Sequence, residues 1–206
     1  AMLKKEFQFE KEFEELENGQ FGNYENVKYF GIRKNNESEE LRNQVEVLYY
    51  NSKDDFAIKL KTKQEDEVIL CKNPNGNTFS EIYQNIQQQE SSYDGSKELE
   101  EKELLKIPNI KINEKKEITE VENEPFFFSN GESYMIEKAL QTIQFDLDKK
   151  GGKIKSEAGM MVSKTALMPG ESREFAIDNT FAIFLKEEGK DNPYFAAKID
   201  DITKFQ

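Results

Sequence analysis

The apolar positions of this chain change period along its length, and each period predicts a different element. Phe56, Ile58 and Leu60 alternate with Ala57, Lys59 and Lys61, the pattern of a half-exposed antiparallel strand. The neighbouring runs "NVKYFGI" (26–32), "QVEVLYYN" (44–51) and "DEVILCK" (66–72) are equally β-rich. "NSKDD" and "KQEDE" are short enough to connect hairpins. At Asn73-Pro74-Asn75-Gly76 the period shifts. Thr78 and Glu81 form a capping box, and Phe79, Ile82, Tyr83 and Ile86 then mark one face of a helix.

"ESSYDGSKELEEKE" (90–103) predicts solvated polar loop with a second short helix. From Ile107 the β pattern returns in "IPNIKIN". "EPFFFSNG" (124–131) reads as a compact apolar turn, and "KALQTIQFDLD" (138–148) sets Ile143, Phe145 and Leu147 towards one face. "NTFAIFLK" and "NPYFAAKID" are apolar at nearly every position, as strands buried on both faces are, with "EEGKDN" between them as a hairpin connection. The stretch from Leu3 to Glu17 stays ambiguous, since Phe7 and Phe9 suit a strand while Phe9, Phe13 and Leu16 suit a helix. "NGQFGN" (18–23) is turn chemistry. The sum is an α+β chain of mostly antiparallel strands with few helices.

Composition removes several functions. With 206 residues the chain can bury a real core, and its 16 Phe and 8 Tyr require one. A net charge of −12 argues against nucleic-acid and anionic-membrane partners. The chain has no histidine, which removes Ser-His-Asp and Cys-His catalysis, imidazole zinc sites and the commonest general base. Its one cysteine, Cys71, sits in an apolar alternation and reads as a buried small hydrophobe. These features predict a protein that is not an enzyme and needs no cofactor. No apolar run reaches spanning length and no signal-peptide core is seen near the start, which favours a cytoplasmic location. Ala1-Met2 reads as a remnant before a start codon, and a trimmed leader would make the protein secreted.

"DLDKKGGKIKSE" (146–157) invites a calcium-loop reading through Asp146, Asp148, Gly151 and Glu157. That reading fails at the fifth and eighth places, where Lys150 and Lys153 stand instead of an oxygen ligand and an apolar residue. The other readings are a charged loop between two strands or a hinge.

The order of the C-terminal pieces resembles the serpin family, whose members end in a hinge, an exposed reactive-centre loop and a buried hairpin. Thr180–Leu185 and Pro193–Ile199 match the two strands of that hairpin at the family's spacing, with Ala197 where the family prefers Gly. "FDLDKKG" resembles the strand that runs into the hinge, and "IPNIKIN" and "FSNG" also have counterparts. More weakly, "NVKYFGIRK" and the run from Glu46 to Pro74 resemble earlier strands. The resemblance implies a single serpin-like domain over 1–206, corresponding to the family's C-terminal half, with 152–178 as a reactive-centre-like loop. It implies a hinge at Gly151, Gly152, Lys153 and Ile154, and a scissile window over Lys164, Thr165, Ala166, Leu167, Met168 and Pro169.

A serpin is about twice this length, so the chain is either a piece of such a protein or a half-length relative. The family role is inhibition of serine- or cysteine-type endopeptidases. Inhibitory members place small residues after the hinge glycine, because every second side chain must enter a closing sheet. Lys153 and Lys155 would be costly there, so trapping is expected to be weak or absent. The alternatives are a non-inhibitory serpin-like binding or structural module, and an unrelated β-rich binding domain. A protease or another protein is the expected partner. Half a serpin would leave the large sheet open beside "KALQTIQFDLD" or "IPNIKIN", which predicts a homo-oligomer through that edge.

Overall fold

Among the described residues, fourteen strands sort into four sheets. A computed structural model describes residues 2–3, 7–117, 125–127, 129–130, 132–135, 140–151 and 172–206. In chain order the elements are β1 (Met2–Leu3), β2 (Glu14–Phe21), β3 (Tyr24–Ile32), α1 (Glu39–Asn43), β4 (Val45–Ser52), β5 (Asp55–Lys61), β6 (Asp66–Lys72) and α2 (Phe79–Ser92). There follow β7 (Leu104–Pro108), β8 (Ile110–Glu117), β9 (Pro125–Phe127), β10 (Ser133–Met135), β11 (Leu140–Leu147), β12 (Glu174–Ala176), β13 (Phe181–Glu187) and β14 (Phe195–Ile199). A 3-10 turn closes the chain at Ile202–Phe205.

Five strands form a sheet in the order β14-β13-β6-β5-β4, antiparallel throughout. β13 and β6 run side by side from Phe181–Lys72 to Glu187–Asp66, which places the C-terminal hairpin on the strands between Val45 and Lys72. A second sheet has the order β12-β7-β3-β2, with β12 parallel to β7. The third is β1-β11-β8, in which β1 runs parallel to β11 through Met2–Thr142 and Leu3–Ile143. β9 and β10 form a separate hairpin. The main core lies between the five-stranded sheet and the other two, and draws Phe56, Ile58, Val68, Phe181, Phe30, Leu105 and Phe145 together. No described helix is long and apolar enough to cross a membrane.

Several details depart from the sequence expectations. β5 is not half exposed. Ala57 is fully buried and Lys59 largely so, because α2 lays Ile82, Tyr83 and Ile86 over the outer face of the sheet, against Ile69, Cys71 and Phe184. Ala182 and Cys71 are small for the same reason, since they lie under a helix. β14 is buried on one face only, with Phe195 and Ile199 inward and Lys198 exposed, as befits an edge strand. "IPNIKIN" is not one strand. β7 ends at Pro108 and β8 begins at Ile110, so the chain changes sheets at Asn109. "NGQFGN" is mostly strand β2, irregular in register, and only Gly22-Asn23 makes the turn. The helix expected in 90–103 is absent, while α1, started by the Ser38 hydroxyl accepting from the Leu41 N–H, was not foreseen. The edge beside β11, expected to be open, carries β1 over two positions.

Candidate functional site

The stretch singled out by sequence leaves one sheet and returns to another, so its two anchorages define the candidate site. The first is built on a phenylalanine-rich strap. In "FQFEKEF" (7–13), Phe7, Phe9 and Phe13 are all buried, the rings of Phe9 and Phe13 meeting edge-on at 4.8 Å. Their apolar side chains fix the strap across the core, Phe7 near Phe145 and Phe13 near Phe30. Gln44, wholly buried at the end of α1, grips the strap's backbone from both sides. Its Oε1 accepts from the Lys11 N–H at 3.0 Å and its Nε2 donates to the Lys11 carbonyl at 2.9 Å. The Lys63 N–H donates to the Gln8 carbonyl at 2.8 Å, tying the strap to the β5–β6 turn.

This strap holds the end of β11. The Phe9 and Phe13 N–H groups donate to the carbonyls of Lys150 and Lys149 at 3.2 and 2.8 Å, and Gly151 bridges to Gln8. The turn closes on itself as well, with the Gly151 N–H on the Asp148 carbonyl at 3.1 Å and the Lys150 N–H on Asp148 Oδ1 at 2.8 Å. Gly151 has φ +90°, and a Cβ there would meet the Phe7 carbonyl oxygen at 2.7 Å and the Gln8 Cα at 2.8 Å. Only glycine suits this place, both for conformation and for space. Lys149 reaches Glu12 and Glu15 at 3.3 Å each. Burial works to lower the Lys149 pKa, but the two carboxylates outweigh it and hold the ammonium group above its usual value.

The second anchorage is Arg173. Its Nε and Nη2 donate to the two oxygens of Glu103 at 2.7 and 3.0 Å, a bidentate fork. Nη1 also donates to the Tyr93 hydroxyl and to the Ser96 carbonyl, and Nη2 to the Glu98 carbonyl. The guanidinium lies 5.2 Å over the Phe175 ring. Burial disfavours the charged guanidinium, yet Glu103 and Tyr93 more than offset this, so its pKa is raised further. Phe175 is fully buried between Tyr50 and Phe56, and Ile177 and Asp178 continue the attachment. Asp178 meets the buried Lys72 at 2.7 Å, and Lys72 also reaches Asp54 at 3.0 Å.

Of the residues expected to form the hinge, Gly151 is the one described. Gly152, Lys153 and Ile154 lie outside the described residues, as do Lys164, Thr165, Ala166, Leu167, Met168 and Pro169. Within the 152–178 stretch, Glu174–Ala176 form β12. The Arg173–Glu103 clamp was missed, because Glu103 stands in a run of charges that reads as solvated loop and is in fact buried. A signal existed. The chain has only three arginines among its 29 basic residues, so an arginine at a strand start suggested bidentate work that lysine cannot do. Cys71 is buried with its Sγ 3.4 Å from the Tyr49 hydroxyl, and burial pushes its thiol up to about 11, which suits a core residue rather than a nucleophile.

One further feature stands apart from the loop. α2 and the outer face of the five-stranded sheet enclose a cleft of about 230 Å³, lined by Leu48, Ile69, Tyr83 and Ile86 with Lys59, Glu67 and Lys186. Its Lys59, Glu67 and Lys186 belong to a row of ion pairs across four strands, Glu46–Lys59 (2.9 Å), Lys59–Glu67 (3.3 Å) and Glu67–Lys186 (2.8 Å). Burial raises the Glu67 pKa, but the two lysines outweigh that and hold it below the usual range. Among the described residues no group of His, Cys, Asp and Glu is arranged to hold a metal ion.

No protein-family model matches this sequence, and no curated protein matches it. Solved structures do match its fold. Serpin48 of the insect Tenebrio molitor, described as a highly specific serpin, superposes with a TM-score of 0.53 at 12% identity, over 93% of this chain and 52% of that one. Human thyroxine-binding globulin complexed with thyroxine gives 0.55 at 12% identity, over 95% and 53%. Glycosylated human kallistatin gives 0.55 at 13% identity, again over 95% and 53%. The fold is therefore that of about half a serpin, and the chain spans about half the length of these structures.

Proposed function

We propose that this serpin-like protein offers residues 152–171 to a protein partner, a protease among the candidates, as a segment tethered at both ends that is recognised without springing a trap. One observation carries the reading: the two ends are fixed on different sheets, Gly151 by the strap and Arg173 by Glu103. Two features speak against the insertion that traps an enzyme. Gly151 is held by its bridge to Gln8 beside the Phe9 N–H bond to Lys150, and β1 already pairs with β11 at Met2–Thr142 and Leu3–Ile143, so a strand added there would have to displace it. Lys153 and Lys155 add the cost of burying unpaired charge.

The test is limited proteolysis with trypsin and chymotrypsin. The first cut is expected between Ser163 and Gly170, the nicked protein should melt where the intact one does, and no adduct should survive a denaturing gel. A sharply raised melting temperature after the cut, or a covalent protease adduct, would show that insertion occurs and that the trap is intact.

A second reading, a small-molecule carrier, has the cleft under α2 in its favour, together with the likeness to a globulin that binds thyroxine. Against it, the acidic and basic groups on the sheet wall already satisfy each other. Thyroxine is the first compound to try. A carrier would melt at a higher temperature with it, and the loop reading expects no change.

A further inference from the structure

In an Asn-Gly pair the glycine nitrogen can attack the asparagine side-chain amide, because no Cβ shields that nitrogen. The sequence holds three such pairs, Asn18-Gly19, Asn75-Gly76 and Asn130-Gly131, and the fold treats them differently. Asn18 and Gly19 lie within β2, where Gly19 is paired with Val27, so cyclisation there has to break the strand. Asn130 has both ends of its amide engaged. Its Nδ2 donates to Glu132 Oε2 at 2.9 Å, and its Oδ1 accepts from the Glu132 N–H at 3.1 Å. Asn75 stands exposed in the loop between β6 and α2. Among the described residues, neither its side-chain amide nor the Gly76 N–H has a hydrogen-bond partner.

The loop cannot do without this glycine. Gly76 has φ +143°, and a Cβ there would meet the Ile82 nitrogen at 2.8 Å and the Ile82 Cγ1 at 2.9 Å. A reactive pair therefore sits where the path of the chain into α2 demands glycine.

We propose that Asn75 is a self-modification site, converted by water to aspartate and isoaspartate, and that the isoaspartate product loosens the first turn of α2. The Gly76 nitrogen attacks Asn75 Cγ and an N–Cγ bond forms. The Cγ–Nδ2 bond breaks, and ammonia leaves with the proton of the Gly76 N–H. Water then opens the cyclic imide at either carbonyl. Opening at Cγ gives aspartate. Opening at the former main-chain carbonyl gives isoaspartate, whose chain runs through Cβ and Cγ and is one atom longer.

That atom enters where the loop is tied on both sides. The Asn75 carbonyl accepts from Asn85 Nδ2 at 3.4 Å, and the Asn77 N–H donates to Glu81 Oε2 at 2.8 Å. The Thr78 hydroxyl caps α2 by accepting from the Glu81 N–H at 3.2 Å, and Gly76 lies against Ile82. Lengthening the chain at 75 moves Gly76 off Ile82 or pulls on the cap. Aspartate keeps the main chain unchanged and adds negative charge before the start of α2, the end that favours it.

The experiment holds the full chain in warm, mildly alkaline buffer and follows its peptides by mass spectrometry, with fragment ions that distinguish isoaspartate. Asn75 should convert at least about tenfold faster than Asn18 or Asn130, and in the guanidinium-unfolded chain the three rates should converge to within about threefold. A folded Asn75 no faster than the other two, or the same tenfold order in the unfolded chain, would overturn the assignment. The aged parent should melt a few degrees below the fresh one. Asn75→Gln should keep its melting temperature on ageing, and Asn75→Asp should start where the parent does. An aged parent that carries isoaspartate at position 75 and melts like the fresh protein would overturn the effect on α2. Equal loss on ageing by Asn75→Gln would place the damage elsewhere and overturn it too.

Discussion

Arg173→Ala is expected to destabilise the protein by about 3–5 kcal/mol, as removing one member of a buried ion pair does. Glu103 is only 2% exposed, and without the guanidinium the donor it keeps among the described residues is the Glu100 N–H at 2.8 Å. The variant also removes a donor from the carbonyls of Ser96 and Glu98 and from the Tyr93 hydroxyl, but the two carbonyls keep the Tyr93 hydroxyl and the Ser96 hydroxyl as donors. Most of the loss should therefore come from the charge left behind rather than from the contact removed. The double variant Arg173→Met/Glu103→Leu separates the two, because it removes both charges and keeps apolar volume, and it should recover most of the stability. Urea denaturation of the three proteins measures this. A loss under about 1 kcal/mol for Arg173→Ala would place the pair among ordinary surface salt bridges and dissolve the second anchorage.

Phe195→Ala should cost about 3–5 kcal/mol as well, for a different reason. Phe195 lies inward from β14 at 8% exposure, opposite Leu185, with its ring 5.2 Å from that of Phe145 on β11. It fills the space between the five-stranded and three-stranded sheets, so truncation leaves a cavity bordered by two rigid layers that cannot both collapse into it. A midpoint close to that of the parent in the same urea titration would mean that the two sheets do not depend on this contact.

The parts of the fold that were legible in sequence are those where the residues of one segment carry the whole signal. Thr78 and Glu81 set the start of α2, and the Thr78 hydroxyl does accept from the Glu81 N–H at 3.2 Å. Phe181 to Leu185 is apolar at every position because β13 lies between the main core and α2. β5 misled because alternation predicts one wet face, and a second layer over that face is a tertiary fact. Ala57 between Phe56 and Ile58 can be read as exposed or as fitting beneath a helix, and pattern alone cannot choose. The strap was ambiguous for a physical reason too. Phe7, Phe9 and Phe13 follow neither period because the segment is an extended cord that crosses several elements, its hydrogen bonds going to a turn, a glutamine side chain and the end of β11. At the candidate site, Gly151 could be singled out from its neighbours, whereas Glu103 could not, since a buried acid in a charged run announces itself only through its partner.

The placement of β13 bears on how the chain is made. Its hydrogen bonds to β6 join residues more than a hundred positions apart, from Phe181–Lys72 to Glu187–Asp66. As the polypeptide leaves the ribosome, β4, β5 and β6 can pair in sequence, but β6 then shows an apolar open edge, with Val68, Leu70 and Cys71 waiting for β13. Contacts of such long range form late, and unpaired edges are where nascent chains go astray. The five-stranded sheet thus stays open along β6 until the segment that carries β13 has been made.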